Sequence, residues 1–162
     1  MNIVNDMKVQ IRPFESADLE KLSEIWFSAS SRVHAFLGEQ RLREQRVIVE
    51  DAYLPKSETW VAHHDHIPVG FIGLINTFIG GLFIDPAMQG NGVGRALITH
   101  ALKLKGELQL DVYADNRSAH SFYQRLGFEE VARQAEDDNG LPFEIVRMRF
   151  RAVGHSKNEP DV

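Results

Sequence analysis

Two stretches of the chain have residue types and spacing suited to chemistry. The first reads Ile84-Asp85-Pro86-Ala87-Met88-Gln89-Gly90-Asn91-Gly92-Val93-Gly94-Arg95. An apolar run ends at Ile84, glycines fall at 90, 92 and 94, and a helix-like pattern follows through Leu97, Ile98, Ala101 and Leu102. Glycine lets the main chain turn sharply and approach a ligand with no Cβ in the way. The N–H groups that open a helix have no internal partner and sit at its positive end. Together these features form an anion site suited to a pyrophosphate. The spacing departs from the dinucleotide fingerprint G-x-G-x-x-G, and no Lys-Ser or Lys-Thr follows as a P-loop requires. A plain glycine-rich turn without a ligand is the bland alternative.

The second stretch runs from Asn116 to Phe128. Asn116 opens a helix with Ala119, Phe122, Tyr123 and Leu126 at helical spacing, and Gly127 suits a left-handed helix stop. A phenol has a pKa of ~10, so Tyr123 stays protonated at neutral pH and can donate to an anion. Alone, an aromatic at this spacing is more often core, a role Phe122 fits better. Asp111 lies on the non-core face of a strand and is a candidate base, although most such carboxylates are only solvated. His34 is a rival base, and a relay through water is a third route. The His63-His64-x-His66 cluster lacks further ligands at set spacing and reads as turn chemistry without a metal.

Composition narrows the classes. The chain has 162 residues, with 43 % hydrophobic and 25 % charged, as in one soluble globular domain. Eighteen Lys and Arg against 23 Asp and Glu give a formal charge of −5, a poor balance for neutralising nucleic-acid phosphates. No cysteine is present, which excludes a thiolate nucleophile and cysteine-based metal sites. No run of ~18 apolar residues implies a membrane span. Nothing reads as a secretion signal, so a cytoplasmic setting is the expectation.

These residues need elements to position them. Val9 and Ile11 alternate as a first strand, and Ser16 is placed to cap a helix carrying Leu19, Leu22, Ile25 and Trp26. A second helix is predicted from about His34 to Val49, bounded by Pro55. Trp60–Ala62 and Val69–Ile75 read as a hairpin around His64-Asp65-His66 and Pro68. Leu82-Phe83-Ile84 forms a strand after Gly80-Gly81. Leu108, Leu110 and Val112 alternate as the next strand. Phe128–Arg133 and Phe143–Phe150 flank the Asp138-Asn139-Gly140 turn. The predicted order is β-α-α-β-β-β-α-β-α-β-β, a mixed-sheet α/β domain over residues 1–151 with a polar tail over 152–162.

Gln89-Gly90-Asn91-Gly92-Val93-Gly94 resembles the acetyl-CoA signature of the GNAT superfamily of N-acetyltransferases. The stretch from Asn116 to Phe128 resembles that family's N-x-x-A-x-x-F-Y-x-x-x-G-F almost position for position. The region from Ile25-Trp26 to Phe36-Leu37 is similar to small bacterial members, some of which are thought to acetylate protein lysines. The resemblance covers roughly residues 8–150. It implies a central, mostly antiparallel sheet of about seven strands flanked by about four helices.

It further implies that Gln89, Gly90, Asn91, Gly92, Val93 and Gly94 bond the CoA pyrophosphate, with Arg95 nearby. Leu82, Phe83 and Ile84 would pair with the pantetheine arm, Asn116 would bond that arm, and Tyr123 would lie beside the thioester sulfur. Gly80-Gly81 would suit a bulge that splays the fourth strand from the fifth. Acetyl transfer needs a neutral amine, whereas a lysine has a pKa of ~10.4, so a proton must first be removed. A strand N–H near Phe83 or Ile84 would stabilise the oxyanion. Without cysteine, direct transfer in a ternary complex is the expected route. A non-catalytic acyl-CoA-binding domain is the alternative. The acceptor wall is expected from the first two helices and the turn at Asp137–Leu141. Edge-strand homodimers occur in the family.

Overall fold

In the computed structural model the described residues are 8–33 and 38–152. Their strands are β1 (Gln10–Pro13), β2 (Glu58–His64), β3 (Ile67–Ile75), β4 (Phe78–Ile84), β5 (Glu107–Tyr113), β6 (Glu129–Gln134) and β7 (Ile145–Arg151). The helices are α1 (Leu19–Val33), α2 (Glu39–Ile48), the single turn α3 (Leu54–Lys56), α4 (Val93–Lys105) and α5 (Arg117–Leu126). The strands form one seven-stranded sheet in the order β1-β2-β3-β4-β5-β7-β6. The β4–β5 pair is parallel, while β1–β2, β2–β3, β5–β7 and β6–β7 are antiparallel. Fold class and element order match the sequence reading.

By internal contact the chain falls into two compact units. One holds the described residues up to Ile75 together with Gly81–His100; the other holds Asn76–Gly80 and the described residues from Ala101 onward. In the first, β3 is buried without a break from Val69 to Leu74, as expected of a central strand covered on both faces. Leu22, Ile25 and Trp26 are the buried side of α1, and Leu97 and Ile98 that of α4. In the second, β5 alternates as predicted, burying Leu108, Leu110 and Val112. Val146 and Met148 of β7 and Phe128 complete that core. The edge strand β6 is exposed along its whole length.

Several boundaries differ from the pattern-based expectation. The helix after β1 begins at a short 3-10 turn, Ser16–Asp18, whose N-cap is Glu15 rather than Ser16. The cap is held by Asp18, which accepts from the Glu15 N–H at 2.8 Å and from both terminal nitrogens of Arg12 at 2.8 and 2.9 Å. Strand β2 runs on through His63 and His64, so the turn is made by Asp65 and His66, both at positive φ. Pro68 pairs with His63 inside β3, next to a register shift that accommodates its missing N–H. Strand β4 starts at Phe78 and includes Gly80-Gly81. The segment after α2 continues through a π turn, Val49–Tyr53, into α3.

Candidate active site

In the first unit, β4 leads into the glycine loop and α4. Asp85 begins a 3-10 turn by accepting from the Ala87 N–H at 3.0 Å, and the Met88 N–H returns to the Asp85 carbonyl at 2.8 Å. Asn91 Nδ2 donates to the Met88 carbonyl at 3.1 Å, which braces the loop from within. Gly90 and Gly92 have φ of +84° and +83°, the left-handed region that glycine enters at no steric cost. A Cβ at Gly90 would meet nothing within 4 Å, so its backbone faces open space. The Gly92 carbonyl accepts from the Ala96 N–H at 3.0 Å and opens α4. Gly94 lies inside the first turn of α4, beside the exposed Arg95. Val93 is buried and anchors that turn. The N–H groups of this first turn have no carbonyl four residues back within the helix, so their dipoles aim out of its end. An anion fits such a cradle.

Strand β4 presents a second set of donors. The Asp85 N–H donates to the Val69 carbonyl at 2.9 Å, which directs it toward β3. Successive N–H groups of an extended strand alternate in direction. The N–H groups of Leu82 and Ile84 therefore point away from β3, and that of Phe83 points toward it. Of the two N–H groups that the sequence offers as oxyanion donors, that of Ile84 is the one directed away from β3. The registered pairing of β4 with β5 comprises Phe78↔Gln109 and Ile79↔Leu110, ending one residue before Gly80-Gly81.

The helical side of this unit carries polar and aromatic groups. Phe83 packs on Trp26 and Phe71, with ring centroids 6.3 and 5.4 Å away. Ser23, fully buried on α1, donates to Glu50 of the π turn and accepts from Arg46 Nε of α2 at 2.8 Å. The Arg46 guanidinium lies 5.1 Å from the centre of the Phe27 ring. This network has no local sequence signal, because Ser23 and Glu50 are 27 residues apart. His34 lies outside the described residues.

The second unit holds the other motif. Asn116 caps α5 by accepting from the Ala119 N–H at 3.2 Å, and Gly127 ends the helix at φ +120°. Tyr123 is buried on α5, edge-on to Phe122 and Phe128 at 5.3 and 5.4 Å. Burial pushes its phenol above the ordinary tyrosine range, so it is protonated at neutral pH.

Asp111 is committed elsewhere. Arg147, directly opposite it on β7, donates from Nε at 2.7 Å to Oδ1 and from a terminal nitrogen at 2.9 Å to Oδ2. The same guanidinium lies 5.5 Å from the centre of the Phe78 ring. Both oxygens of the proposed base are thus engaged by one rigid fork. The turn at Asp137–Leu141 is organised by the buried Asp137 carboxylate. That group accepts from the N–H groups of Asn139 and Leu141 at 2.9 Å each and from the Tyr113 hydroxyl at 3.3 Å. Among the described residues, no group of three or more His, Asp or Glu side chains is arranged to hold a metal ion. No helix among them is long and apolar enough to cross a membrane.

Residues 55–130 match the acetyltransferase (GNAT) domain family. The chain is 36 % identical over 145 residues to the peptidyl-lysine N-acetyltransferase YjaB of Salmonella typhimurium, covering 89 % of this chain and 99 % of that one. The solution structure of apo-form YjaB from Escherichia coli superposes with a TM-score of 0.82 at 34 % identity, covering 89 % and 98 % of the two chains. The PaiA N-acetyltransferase of Thermoplasma acidophilum, solved with coenzyme A, shares the fold with a TM-score of 0.75 at 21 % identity, over 90 % and 100 %.

Proposed function

The chain belongs to the GNAT family of N-acetyltransferases, and we propose that it moves the acetyl group of acetyl-CoA directly onto the side-chain amine of a protein lysine. The observation that carries the cosubstrate is the loop at Gly90 and Gly92. Its two left-handed glycines, the open space at Gly90 and the positive N-terminal end of α4 suit a pyrophosphate in a chain of net charge −5. The lysine acceptor follows from likeness to the peptidyl-lysine enzyme YjaB. Bound acetyl-CoA supplies an activated acyl carbon and a thiolate leaving group.

The residues divide the work as follows. Backbone N–H groups of Gln89 to Gly94 hold the pyrophosphate, with Arg95 beside them. Leu82 to Ile84 align the pantetheine arm, and Asn116 steadies it from the cap of α5. The Ile84 N–H, pointing away from β3, donates to the acyl oxygen as negative charge builds there. Tyr123 donates a hydrogen bond to the departing sulfur. A thiol has a pKa of ~8.5 and a buried phenol one well above ~10, so complete proton transfer from Tyr123 is uphill. Tyr123 therefore stabilises the thiolate, and the proton that finally neutralises it comes from the amine. With Asp111 held by Arg147, water carries the amine proton away, and Asp111 serves to align β5 with β7. The catalytic region is residues 1–151, and the reaction is cytoplasmic.

Calorimetric titration with acetyl-CoA, followed by an amine-panel acetylation assay that includes a lysine peptide, tests this reading. Binding and peptide acetylation are expected. Absence of binding removes the cosubstrate assignment, and acetylation of small amines alone removes the protein-lysine assignment.

A further inference from the structure

Arg46 belongs to neither motif, yet α1, α2 and the π turn Val49–Tyr53 combine to hold it. An Arg–Glu pair one helical turn apart is by itself a solvated surface feature. Arg46 is held more firmly than such a pair. Its Nε donates to Ser23 Oγ at 2.8 Å and lies 3.3 Å from Glu50 Oε2. Ser23 is fully buried and donates its own proton to Glu50. The guanidinium carbon lies over the Phe27 ring, 5.1 Å from its centre. These contacts use only the Nε edge and one face. Among the described residues neither terminal nitrogen of Arg46 has a hydrogen-bond partner, and the side chain is 33 % exposed.

The unused edge is a planar pair of N–H donors that matches a carboxylate. A long side chain ordinarily loses rotamer freedom when it binds, but Ser23, Glu50 and Phe27 have already fixed this one. Glu50 also decides what the fork can hold. Its carboxylate, already on the Nε edge, repels a second anion in proportion to that anion's charge. A carboxylate with a single charge is therefore favoured over a phosphate carrying ~−1.5 to −2. The fork is linked to the acyl-transfer strand by a short chain of rings. Phe83 of β4, next to Ile84, packs on Trp26 at 6.3 Å, and Trp26 lies 6.3 Å from Phe27, the ring under Arg46. All of these residues belong to the first compact unit. An extended peptide advances ~3.4 Å per residue, so steps of that size are spanned by a few residues. The next residues of α2, Val47 and Ile48, are large apolar side chains left 56 % and 60 % exposed, which suits a polypeptide better than a free acid.

We infer that Arg46 is a specificity-determining residue for the protein acceptor, its terminal N–H groups binding the carboxylate of an Asp or Glu that lies a few residues from the lysine to be acetylated. This rests on the acetyltransferase reading and narrows its acceptor to lysines with an acidic neighbour. A chain of net charge −5 otherwise repels an acidic segment, so recognising one needs a local cation.

The test compares lysine peptides that carry Glu at one position near the lysine with the same peptides carrying Gln there. For the wild-type protein a Glu peptide of the right spacing should have a KM ~5–30-fold lower, between the worth of an exposed ion pair and that of a charge-assisted bond. Arg46→Lys keeps the charge without the fork, and Arg46→Gln removes both. The first should lose most of the Glu preference and the second all of it, with the acetyl-CoA KM unchanged. Equal KM values for Glu and Gln peptides at every position in the wild-type protein overturn the proposal, whether or not the variants fold. A Glu preference that survives in Arg46→Gln also overturns it, as does a phosphoserine peptide favoured over its Glu counterpart. Variants that raise both KM values alike assign Arg46 a structural role and overturn it too. Should the wild-type protein acetylate no peptide, the acetyltransferase reading fails by itself. The proposal is then decided by titrating the same peptides while following arginine Nε–Hε resonances. A shift caused by Glu peptides alone, in the signal missing from Arg46→Lys, supports it, and no shift overturns it.

Discussion

Replacing Asp111 by Asn distinguishes a catalytic carboxylate from a structural one. The structure gives the expected cost. Asp111 and Arg147 face each other across β5 and β7, joined by two hydrogen bonds of 2.7 and 2.9 Å. Their side chains are 22 % and 44 % exposed, so solvent screens the pair well below a buried salt bridge. A directly opposed cross-strand ion pair of this exposure contributes ~0.3–1 kcal/mol. For a chain of this length that corresponds to a fall of about 1–4 °C in Tm. The assay pairs thermal unfolding with the pH profile of kcat/KM for acetylation. If Asp111 aligns the strands and water removes the proton, Asp111→Asn loses that small stability, keeps kcat/KM within a few-fold and leaves the profile in place. Loss of a general base would instead cost ~10²–10⁴-fold. A drop of that size, with the acidic limb of the profile gone and Tm unchanged, would refute the reasoning and make Asp111 the base.

Other substitutions separate the remaining roles. Tyr123→Phe should lower kcat ~10²–10³-fold, as loss of a preorganised donor does, while acetyl-CoA affinity and Tm are retained because the ring stays packed; calorimetry and steady-state kinetics read the two. Gly90→Ala meets no neighbouring atom, so its cost to folding is confined to ~1–2 kcal/mol of left-handed strain. Acetyl-CoA affinity should fall further than stability does, which calorimetry against thermal unfolding resolves. Hydrogen bonding from Arg12 holds the Asp18 carboxyl below its usual value of 3.8. A carboxyl so lowered stabilises the fold above its unfolded pKa, and that contribution is lost as pH falls through the folded value. Asp18→Asn should therefore be less stable than wild type at pH 7, and the difference should shrink in denaturant titrations below about pH 4.

What the sequence disclosed was what is local. The alternation of Leu108, Leu110 and Val112, the helix from Asn116 to its stop at Gly127, and the loop from Gln89 to Gly94 all declare themselves through neighbours. What it concealed depends on partners far along the chain. Asp111 reads as a lone strand carboxylate, and only the β5–β7 register brings Arg147, 36 residues away, across from it. The second helix is expected to stop near Val49, yet the chain carries on through the π turn Val49–Tyr53, whose geometry goes with the seating of Tyr53 on Gly73. Gly80-Gly81 reads as a break, yet β4 runs through it because the strand is paired in the sheet. His63 and His64 read as turn, whereas pairing with Pro68 and Ile67 keeps them in β2.

The central claim, direct transfer from acetyl-CoA to a lysine amine, is tested most directly by mass spectrometry of a lysine peptide incubated with the protein and acetyl-CoA, with released thiol measured in parallel. The account predicts one acetyl group on the lysine side chain for each CoA thiol released, with no acetyl left on the protein at any time. Thiol release without acetylated peptide, or an acetylated protein that forms before the product, would contradict it.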